Sequence, residues 1–432
     1  MKSVKIGLIG FGTIGRGVYE LLQSNADLII ERTGIKLNIT KICDINNTSI
    51  PPEIPFTKDW QEITNDPEID IVAELIGGIE PAKNIILTSL KNKKNVVTAN
   101  KKLLAEYGDE IFKLVYETNT KLGFEAAIGG GIPCLLALRT GLVANNISSI
   151  MGILNGTTNY ILTKMETEKL PFAKALEQAQ QNGFAEADPT FDIEGFDAGH
   201  KISLLAMMTY GKKIDYNNVP IEGITKISDL DIDYAHNMGY TIKLLGIARS
   251  EKNKDGKIDI RVHPAMIPLT HPLAAVRNEF NAIMYDGDMT DPIVLTGKGA
   301  GSKPTASAVV SDIVQMVQYD AEDFSHIKLN GNAELIDLGK MSCRYYLRIS
   351  SMDIPGILSS ISGVLGKNNI SIASVIQKET GGKFVPLMIL THDAKEADII
   401  KAKNEIEAFD FVEEKITLIR IVEMDNYHTK PI

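Results

Sequence analysis

Cysteine, tryptophan and histidine are scarce in this chain, with three, one and seven copies among 432 residues. Cys43, Cys134 and Cys343 lie far apart without a CxxC or histidine-flanked spacing, so the sequence supports neither a disulfide framework nor a zinc site. We expect buried, reduced thiols. The chain also lacks an apolar run of about 18 residues and a signal-peptide pattern, which predicts a cytoplasmic protein without a membrane span.

A surplus of basic residues is also absent. Lysine and arginine number 45 against 55 aspartates and glutamates, which gives a formal net charge of -10. Nucleic acids and acidic membranes both require a basic face, so neither is an expected partner. The hydrophobic share of 44% is ordinary for a globular protein, and the length predicts two or three domains.

The chain does contain a glycine-rich turn between a strand pattern and a helix pattern, VKIGLIGFGTIGRG at residues 4–17. Such glycines permit a tight turn and close approach of a pyrophosphate, and the helix N-terminus attracts the anion. The motif predicts dinucleotide binding, with a purely structural turn as the alternative. The predicted cofactor contacts are Gly10, Phe11, Gly12, Thr13, Ile14 and Gly15.

Further strand and helix patterns alternate, as in a doubly wound parallel sheet. The predicted strands are 37–43, 69–76, 95–99 and 122–127, and the predicted helices between them include 81–92 and 103–118. Asp44 follows the second strand, where an acid accepts hydrogen bonds from the adenosine ribose and favours NAD. A helix-capping role for Asp44 stays open, and Lys41 or Lys58 could reach the 2′-phosphate of NADP.

Two more segments follow predicted strands, where ligands of open α/β sheets gather. Lys101 either points into that crevice or starts a helix in solvent. Glu125 precedes the loop 129–131, whose three glycines present carbonyl oxygens that suit a hard cation. On the residues alone, a tight turn is the favoured interpretation of that loop.

Residues 182–201, NGFAEADPTFDIEGFDAGHK, crowd five carboxylates before a single lysine, Lys201. The acids are Glu186, Asp188, Asp192, Glu194 and Asp197. Neighbouring carboxylates repel one another, so the cluster calls for a bound cation such as an ammonium, and the interleaved phenylalanines predict a pocket wall. Asp197 and Lys201 are four residues apart, so a helix starting near Gly195 places them on one face. A surface ion pair is the plain interpretation of that spacing.

In chain order, six segments resemble the homoserine dehydrogenase family over residues 4–320. They are GFGTIG, VTANKKLL, EAAIGGGIP, GILNGTTNYIL, GFAEADPTFDIEGFDAGHKISLLA and GKGAGSKPTASAVVSDI. The resemblance implies reversible reduction of L-aspartate 4-semialdehyde to L-homoserine by NAD(P)H, a step toward threonine and methionine. The substrate's ammonium would then account for the crowded acids.

The same resemblance assigns roles to residues. Lys201 matches the catalytic lysine that exchanges a proton with the substrate oxygen, and Lys101 matches the lysine beside cofactor and substrate. Gly301 matches a residue near the cofactor. The implied substrate contacts are Gly183, Glu186, Asp192 and Asp197.

A monovalent cation, usually sodium, is also implied by the resemblance. Its ligands match the Glu125 side chain and the backbone oxygens of Ile128, Gly130 and Ile132. One departure concerns the segment that many members read as GYAEADP, because this chain has Phe184 there. The missing phenol puts its contribution to substrate affinity in doubt.

The last part of the chain has a strand, helix, strand, strand, helix, strand pattern and is similar to an ACT domain, a ferredoxin-like regulatory module. Asp353, Pro355 and Gly356 lie in the loop where effectors of such domains often contact the backbone. Threonine feedback is the sharper hypothesis, and a purely dimerising role is the alternative. The expected assembly is a homodimer or homotetramer.

The predicted fold class is therefore α/β. We expect a Rossmann-type doubly wound domain in residues 1–135 that is completed by about 300–322, and an α+β substrate-binding and dimerisation domain in 136–299. A linker at 323–342 and the ACT domain at 343–425 follow. Because the chain starts at the nucleotide-binding strand, the sequence predicts a monofunctional form without a fused aspartate kinase.

Two rival functions would require different residues. Aspartate-semialdehyde dehydrogenase needs a cysteine nucleophile with a histidine, and neither Cys43 nor Cys134 has a histidine near it in sequence. A non-catalytic amino-acid sensor built from the same modules would not need Lys201, Glu186 and Asp197 together.

Overall fold

The computed structural model of the chain describes residues 1–46, 50–250, 257–320, 329–377 and 382–423. Its strands are β1 Lys2–Ile9, β2 Ile35–Cys43, β3 Phe56–Thr57, β4 Ile71–Glu74, β5 Asn95–Thr98, β6 Leu122–Gly123, β7 Ile147–Ile153, β8 Tyr240–Ser250, β9 Ile258–Pro268, β10 Phe280–Gly287, β11 Asp291–Lys298, β12 Ser342–Met352, β13 Ile372–Gln377, β14 Phe384–Thr391, β15 Ala394–Lys395 and β16 Thr417–Ile421.

The helices are α1 Thr13–Ser24, α2 Ala26–Thr33, α3 Gln61–Thr64, α4 Ala82–Lys91, α5 Lys101–Thr118, α6 Cys134–Leu136, α7 Gly156–Thr167, α8 Phe172–Gln181, α9 Thr190–Ile193, α10 Phe196–Tyr210, α11 Asp229–Asn237, α12 Ser302–Gln318, α13 Ile357–Lys367 and α14 Glu396–Glu407. Two compact units hold these elements. The first unit comprises Met1–Gly156, Asp197–Val219 and Phe280–Ala333, and the second comprises Thr157–Phe196, Pro220–Glu279 and Glu334–Ile432.

The first unit is built on a six-stranded parallel sheet in the order β3-β2-β1-β4-β5-β6. Strands β4 and β5 are short and almost fully buried because helices cover the sheet, and Ile6 and Leu8 of β1 are also fully buried. Helix α12 packs on the same core through Val309 and Ile313, although these residues lie far away in sequence. The predicted doubly wound sheet is confirmed. Its completion by about 300–322 stays a prediction, which the packing of α12 on this core supports, and residues 321–322 lie outside the described residues.

One predicted strand is wrong in part. Strand β6 ends at Gly123, and a 3₁₀ turn at Glu125–Ala127 replaces the rest of the predicted strand 122–127. The backbone N–H of Glu125 donates to Asp312 Oδ2 at 2.9 Å instead of to a neighbouring strand. A side chain 187 residues away therefore ends the ladder, and a local pattern does not contain that information. The same unit also holds the antiparallel strands β7, β10 and β11.

The second unit contains a mixed sheet in the order β8-β9-β16-β12-β14-β13. The elements from β12 to β16 have the predicted βαββαβ order, with the two-residue strand β15 added beside β12. Tyr345, Leu347 and Ile361 belong to its core. Strand β16 pairs in parallel with β9, so this C-terminal βαββαβ module shares a sheet with strands β8 and β9.

Some predicted features fall outside the described residues, namely the first part of the linker, 323–328, and the end of the ACT boundary, 424–425. The described remainder of the linker is hydrogen-bonded, since Lys213 N donates to Gly331 O at 3.0 Å and Ile258 N donates to Glu334 O at 2.9 Å. The domain boundaries stay predictions. Within the described ranges, no helix is long and apolar enough to cross a membrane. Cys43 and Cys134 are buried free thiols, whereas Cys343 is a half-buried one.

Candidate active site

Two helix N-termini meet beside the glycine-rich turn. Gly12 precedes α1, Gly301 precedes α12, and the Ser302 hydroxyl donates to Thr13 O at 2.8 Å. A Cβ on Gly15 would lie 2.1 Å from Gly10 O, so the turn requires glycine there. The exposed N–H groups and aligned dipoles of both helices suit a pyrophosphate. The turn thus has the geometry that the sequence motif predicts.

Asp44 lies at the carboxyl end of β2, next to this turn. Its Oδ2 accepts from Phe11 N at 2.6 Å and its Oδ1 accepts from Asn46 N at 3.0 Å. These bonds close loops rather than cap a helix, and the half-buried carboxylate keeps further acceptor capacity for ribose hydroxyls. Lys41, one of the candidates for a 2′-phosphate, lies 3.6 Å from Asp66 and 3.7 Å from Glu62.

Lys101 is the first residue of α5, but it does not have the solvent-exposed position of the plain helix-start interpretation. Asn100 caps this helix by accepting from Leu103 N at 3.1 Å, and its Nδ2 donates to Gly78 O at 2.6 Å. The cap directs Lys101 inward, with its side chain only 33% exposed and its Nζ 2.9 Å from Asp197 Oδ1. Lys101 therefore starts a helix and also faces a buried carboxylate.

Asp197 and Lys201 form the centre of the site. Both lie on α10, and Lys201 Nζ is 2.8 Å from Asp197 Oδ2, as their spacing predicts. The pair is not at the surface, because Asp197 is 3% and Lys201 is 6% exposed. Lys201 Nζ also donates to Leu154 O at 2.8 Å. Burial raises the pKa of Asp197, but the charges of Lys201 and Lys101 outweigh it and hold that pKa below its usual range.

Asn155 belongs to this cluster although the sequence pattern did not single it out. It is 5% exposed, and its Nδ2 donates to Asp197 Oδ2 at 2.9 Å. The sequence feature that could have identified Asn155 is its position in GILNGTTNYIL, directly after an apolar strand pattern. Because its partner is 42 residues away, the contact itself could not be inferred from local sequence.

His200 lies beside this pair on α10, 3% exposed and stacked on Tyr216 with ring centroids 4.0 Å apart. Burial lowers the pKa of His200 to about 4, although the Asp197 charge opposes the shift. Burial also raises the pKa of Tyr216 to about 12. Both rings are therefore neutral near pH 7, which leaves the charges of the site to Lys101, Asp197 and Lys201.

The lowered pKa of His200 predicts that the stability of the folded chain depends on pH. Its folded-state pKa lies below the ordinary value of 6.5, so between pH 6.5 and about 4 the unfolded chain binds a proton that the folded chain does not. Stability therefore falls as pH falls through this window. We expect His200→Phe, which keeps a ring on Tyr216, to reduce that loss by about 2 kcal/mol in urea unfolding at several pH values. An unchanged pH slope would contradict the assigned environment.

The remaining predicted substrate residues lie in the second unit. Glu186 is exposed, Gly183 has a φ of 73°, and Asp192 lies on α9. The Thr157 hydroxyl is 2.9 Å from Asp192 Oδ2 and 2.6 Å from Phe184 O, so it ties the helix carrying Asp192 to the loop before it.

Three other residues of the acid-rich segment have structural contacts. The Phe184 ring packs against Tyr160 with centroids 4.8 Å apart. Asp188 Oδ1 accepts from Thr190 N at 3.1 Å at the start of α9, and Glu194 follows the end of that helix. Asp188 therefore closes the turn at the start of α9, and Glu194 lies at the C-cap position of that helix.

The loop after Glu125 has the oxygen chemistry of a hard-cation site. Glu125 is 5% exposed, and its two carboxylate oxygens accept from Leu135 N at 2.9 Å and Leu136 N at 2.8 Å. A carboxylate has more acceptor capacity than these two bonds use, so Glu125 can still contribute an oxygen to a cation. Burial raises the pKa of Glu125 above its usual range despite these amides and Arg139. Asp312 is buried beside it, and burial raises its pKa to about 7, with Glu125 adding to the shift.

The backbone carbonyls predicted to bind the cation are not all equally available. Gly130 has a φ of 56°, and a Cβ there would lie 2.5 Å from Gly299 O, so the loop must approach the opposite backbone closely. Ile128 contributes a buried backbone to the same turn. Ile132 O already accepts from Cys134 N at 2.8 Å and from Cys134 Sγ at 3.1 Å, so a cation there would replace the weak thiol contact.

Three family descriptions match the chain. Residues 10–125 match the NAD-binding domain of homoserine dehydrogenase, residues 133–314 match homoserine dehydrogenase, and residues 345–411 match the ACT domain. Together they cover the glycine-rich turn, the Asp197–Lys201 pair and most of the C-terminal module.

Whole-chain relatives agree with these matches. Homoserine dehydrogenase from Neisseria gonorrhoeae is 43% identical over 98% of this chain and 99% of its own length. The crystal structure of a homoserine dehydrogenase from Thiobacillus denitrificans superposes with a TM-score of 0.91 at 39% identity, covering 98% of this chain and 99% of that one. A hyperthermophilic archaeal homoserine dehydrogenase in complex with NADPH gives a TM-score of 0.62 at 27% identity, covering 73% and 98% of the two chains.

Proposed function

Since this chain belongs to the homoserine dehydrogenase family and is an NAD(P)-dependent oxidoreductase, we propose that it converts L-aspartate 4-semialdehyde to L-homoserine on the route to threonine and methionine. The observation that carries the catalytic part is the buried lysine, Lys201, held between Asp197 and Leu154 O. A sensor has no need of such a proton donor. A steady-state assay of homoserine oxidation with NAD and with NADP tests the activity, and absence of turnover with both would refute it.

Lys201 is the proposed acid. An ammonium has three N–H donors, and Asp197 Oδ2 and Leu154 O engage two of them, which leaves one for the substrate oxygen. When bound, the nicotinamide cofactor supplies the hydride. As the carbonyl is reduced, Lys201 protonates its oxygen, and in the oxidation direction Lys201 accepts that proton. Lys101 contributes a second positive charge on the other oxygen of Asp197.

The proposed cofactor contacts are the turn at 10–15, Asp44, Lys101 and Gly301. The two helix N-termini support pyrophosphate binding there. Asp44 supports NAD, because its carboxylate suits ribose hydroxyls and repels a 2′-phosphate. The NADPH complex of the archaeal relative supports the other cofactor, so the two-cofactor assay decides between them.

The proposed substrate contacts rest on the family resemblance. Glu186 and Asp197 bind the ammonium of the amino acid, Gly183 contributes its backbone, and Asp192 lines the pocket. The Thr157 hydroxyl near Asp192 Oδ2 supports a fixed orientation of that carboxylate. Phe184 offers no phenol, and its ring is already packed on Tyr160.

We also propose that sodium binds Glu125 and the carbonyls of Ile128, Gly130 and Ile132. Binding to the folded state alone stabilises it, by about 2.7 kcal/mol at a sodium concentration of about 100 times the Kd. We therefore expect a lower thermal midpoint when choline chloride replaces sodium chloride at equal ionic strength. Glu125→Gln is the matched variant, in which the sodium dependence should vanish. Equal midpoints for the wild type in both salts would refute the site.

The ACT domain is the proposed site of feedback by an amino acid such as threonine. Its strand β16 carries Arg420, which contacts Glu396 and lies 2.8 Å from Glu222 Oε1. The backbone beyond Glu222 packs tightly on α9, since Ile224 N donates to Ile193 O at 2.8 Å and a Cβ on Gly223 would lie 2.3 Å from the same oxygen. These contacts connect strand β16 to the helix that carries Asp192, which supports coupling between the ACT domain and the segment proposed to contact the substrate.

Asp353, Pro355 and Gly356 lie between β12 and α13, where the effector is expected, and Gly356 has a φ of 95°. We expect threonine to lower the rate of homoserine oxidation. Glu222→Gln should weaken this effect and raise the half-inhibitory concentration about 3- to 10-fold. Glu405→Gln, which removes an exposed ion pair with Lys367, is the control that should leave it unchanged. An unchanged rate of homoserine oxidation by the wild type at saturating threonine would contradict the threonine hypothesis.

Two further properties stay proposals. A homodimer or homotetramer is expected because ACT domains commonly pair through their sheets, and β13 is an edge strand of the sheet in the second unit. The proposed location of the protein is the cytoplasm. Light scattering measures the oligomeric state directly.

A further inference from the structure

Asn155 is the neutral member of the charged cluster. Asp197 has two carboxylate oxygens, of which Oδ1 faces Lys101 at 2.9 Å and Oδ2 faces both Lys201 at 2.8 Å and Asn155 Nδ2 at 2.9 Å. A carboxylate only accepts, so the amide must present its NH₂ group to Asp197. This orientation of Asn155 follows from its partner.

The scaffold beneath Asn155 is rigid. Strand β7 ends at Ile153, and its backbone pairs with β10 from Ile147 to Ile153. The next two residues hold both members of the ion pair, because Leu154 O accepts from Lys201 and Asn155 donates to Asp197. Both are at most 5% exposed, so water does not compete freely for these bonds.

We propose that Asn155 is a positioning residue for the Asp197–Lys201 pair, because its amide fixes the rotation of the Asp197 carboxylate and thereby the place of the Lys201 ammonium. This inference rests on the proposed role of Lys201 as the proton donor. The carboxylate torsion is broad, so without Asn155 it can turn between the two lysines. An amide fixes it without adding charge to the cluster.

Three variants separate positioning from helix capping, since Asn155 directly precedes α7. Asn155→Ala removes both functions. Asn155→Ser and Asn155→Asp keep a side chain that caps helices well, but neither can donate an amide hydrogen to Asp197. We expect all three to lower kcat about 10- to 100-fold, as for a misplaced catalytic group, with little change in the KM for the cofactor.

Asn155→Asp should also change the pH profile. A second carboxylate beside Asp197 raises the pKa of the pair of acids, so the acid limb of kcat/KM moves to higher pH. A role in folding alone would not shift that limb. Ser228→Ala, which removes the capping box of α11, is the control for a lost cap and should leave kcat unchanged.

The possible outcomes distinguish this inference from the proposed mechanism. Wild-type kcat and pH profile in Asn155→Ser and Asn155→Asp, with loss only in Asn155→Ala, would assign Asn155 to capping and overturn the inference. Cofactor affinity, measured by fluorescence titration, should be unchanged in every variant, and a parallel loss of affinity would also overturn it. The proposed mechanism itself fails only if replacing Lys201 leaves the reaction intact.

Discussion

Lys201→Met is expected to lower kcat for homoserine oxidation by about a thousandfold. Methionine approximates the length of the lysine stem but cannot exchange a proton, and general acid–base catalysis typically contributes about 10²- to 10⁴-fold. The ammonium of Lys201 is buried and has two fixed acceptors, so no solvent group replaces it easily. Steady-state kinetics at saturating cofactor measure the effect.

Lys213→Met is the control for this variant. It removes a lysine whose exposed ion pair with Asp109 lies in the same unit, so kcat should stay at the wild-type value. The affinity of Lys201→Met for NAD(P)H should also be unchanged, because the proposed role concerns the substrate oxygen. Full activity in Lys201→Met would remove the lysine from the mechanism.

Asp197→Asn is expected to damage both stability and activity. Removing one partner of a buried ion pair leaves an uncompensated charge and costs about 3–5 kcal/mol, and here two lysines lose their shared carboxylate. The Lys201 ammonium also loses the charged one of its two acceptors, so we expect kcat/KM to fall about 100-fold. Urea unfolding and steady-state kinetics measure the two effects.

The stability effect of Asp197→Asn has a defined pH dependence. Because the charges of Lys201 and Lys101 lower the pKa of Asp197, its stabilising contribution is fully present above its ordinary pKa of about 4. The contribution decreases as pH falls through the folded-state pKa. The difference between wild type and variant should therefore shrink below about pH 4. Asp109→Asn, at the exposed pair with Lys213, is the matched control and should change stability by less than about 1 kcal/mol.

Local sequence was sufficient for features with short-range causes. The glycines at 10, 12 and 15 predicted a strand, a turn and a helix, and the structure has that order. At position 15 only glycine fits against Gly10 O. The spacing of Asp197 and Lys201 also predicted their contact, because one helical turn brings residues four apart together. It did not predict their burial, because burial depends on strands and helices elsewhere in the chain.

Features with long-range causes were missed. The contact from Asn155 to Asp197 spans 42 residues, and the bond that ends strand β6 spans 187. The parallel pairing of β16 with β9 joins two segments that read as separate domains in sequence. In each case, folding brings together two groups that are far apart in sequence, so the local hydrophobic pattern cannot predict their contact.

The central claim is that Asp197 and Lys201 act as one unit in proton transfer. A double-mutant cycle on kcat at saturating homoserine tests it most directly, because the proposed contact of Asp197 with the substrate ammonium then affects KM rather than kcat. Residues that act as a unit give strongly non-additive effects. We expect Lys201→Met combined with Asp197→Asn to be about as slow as Lys201→Met alone. Rate losses that multiply in the double variant would show independent roles and contradict the account.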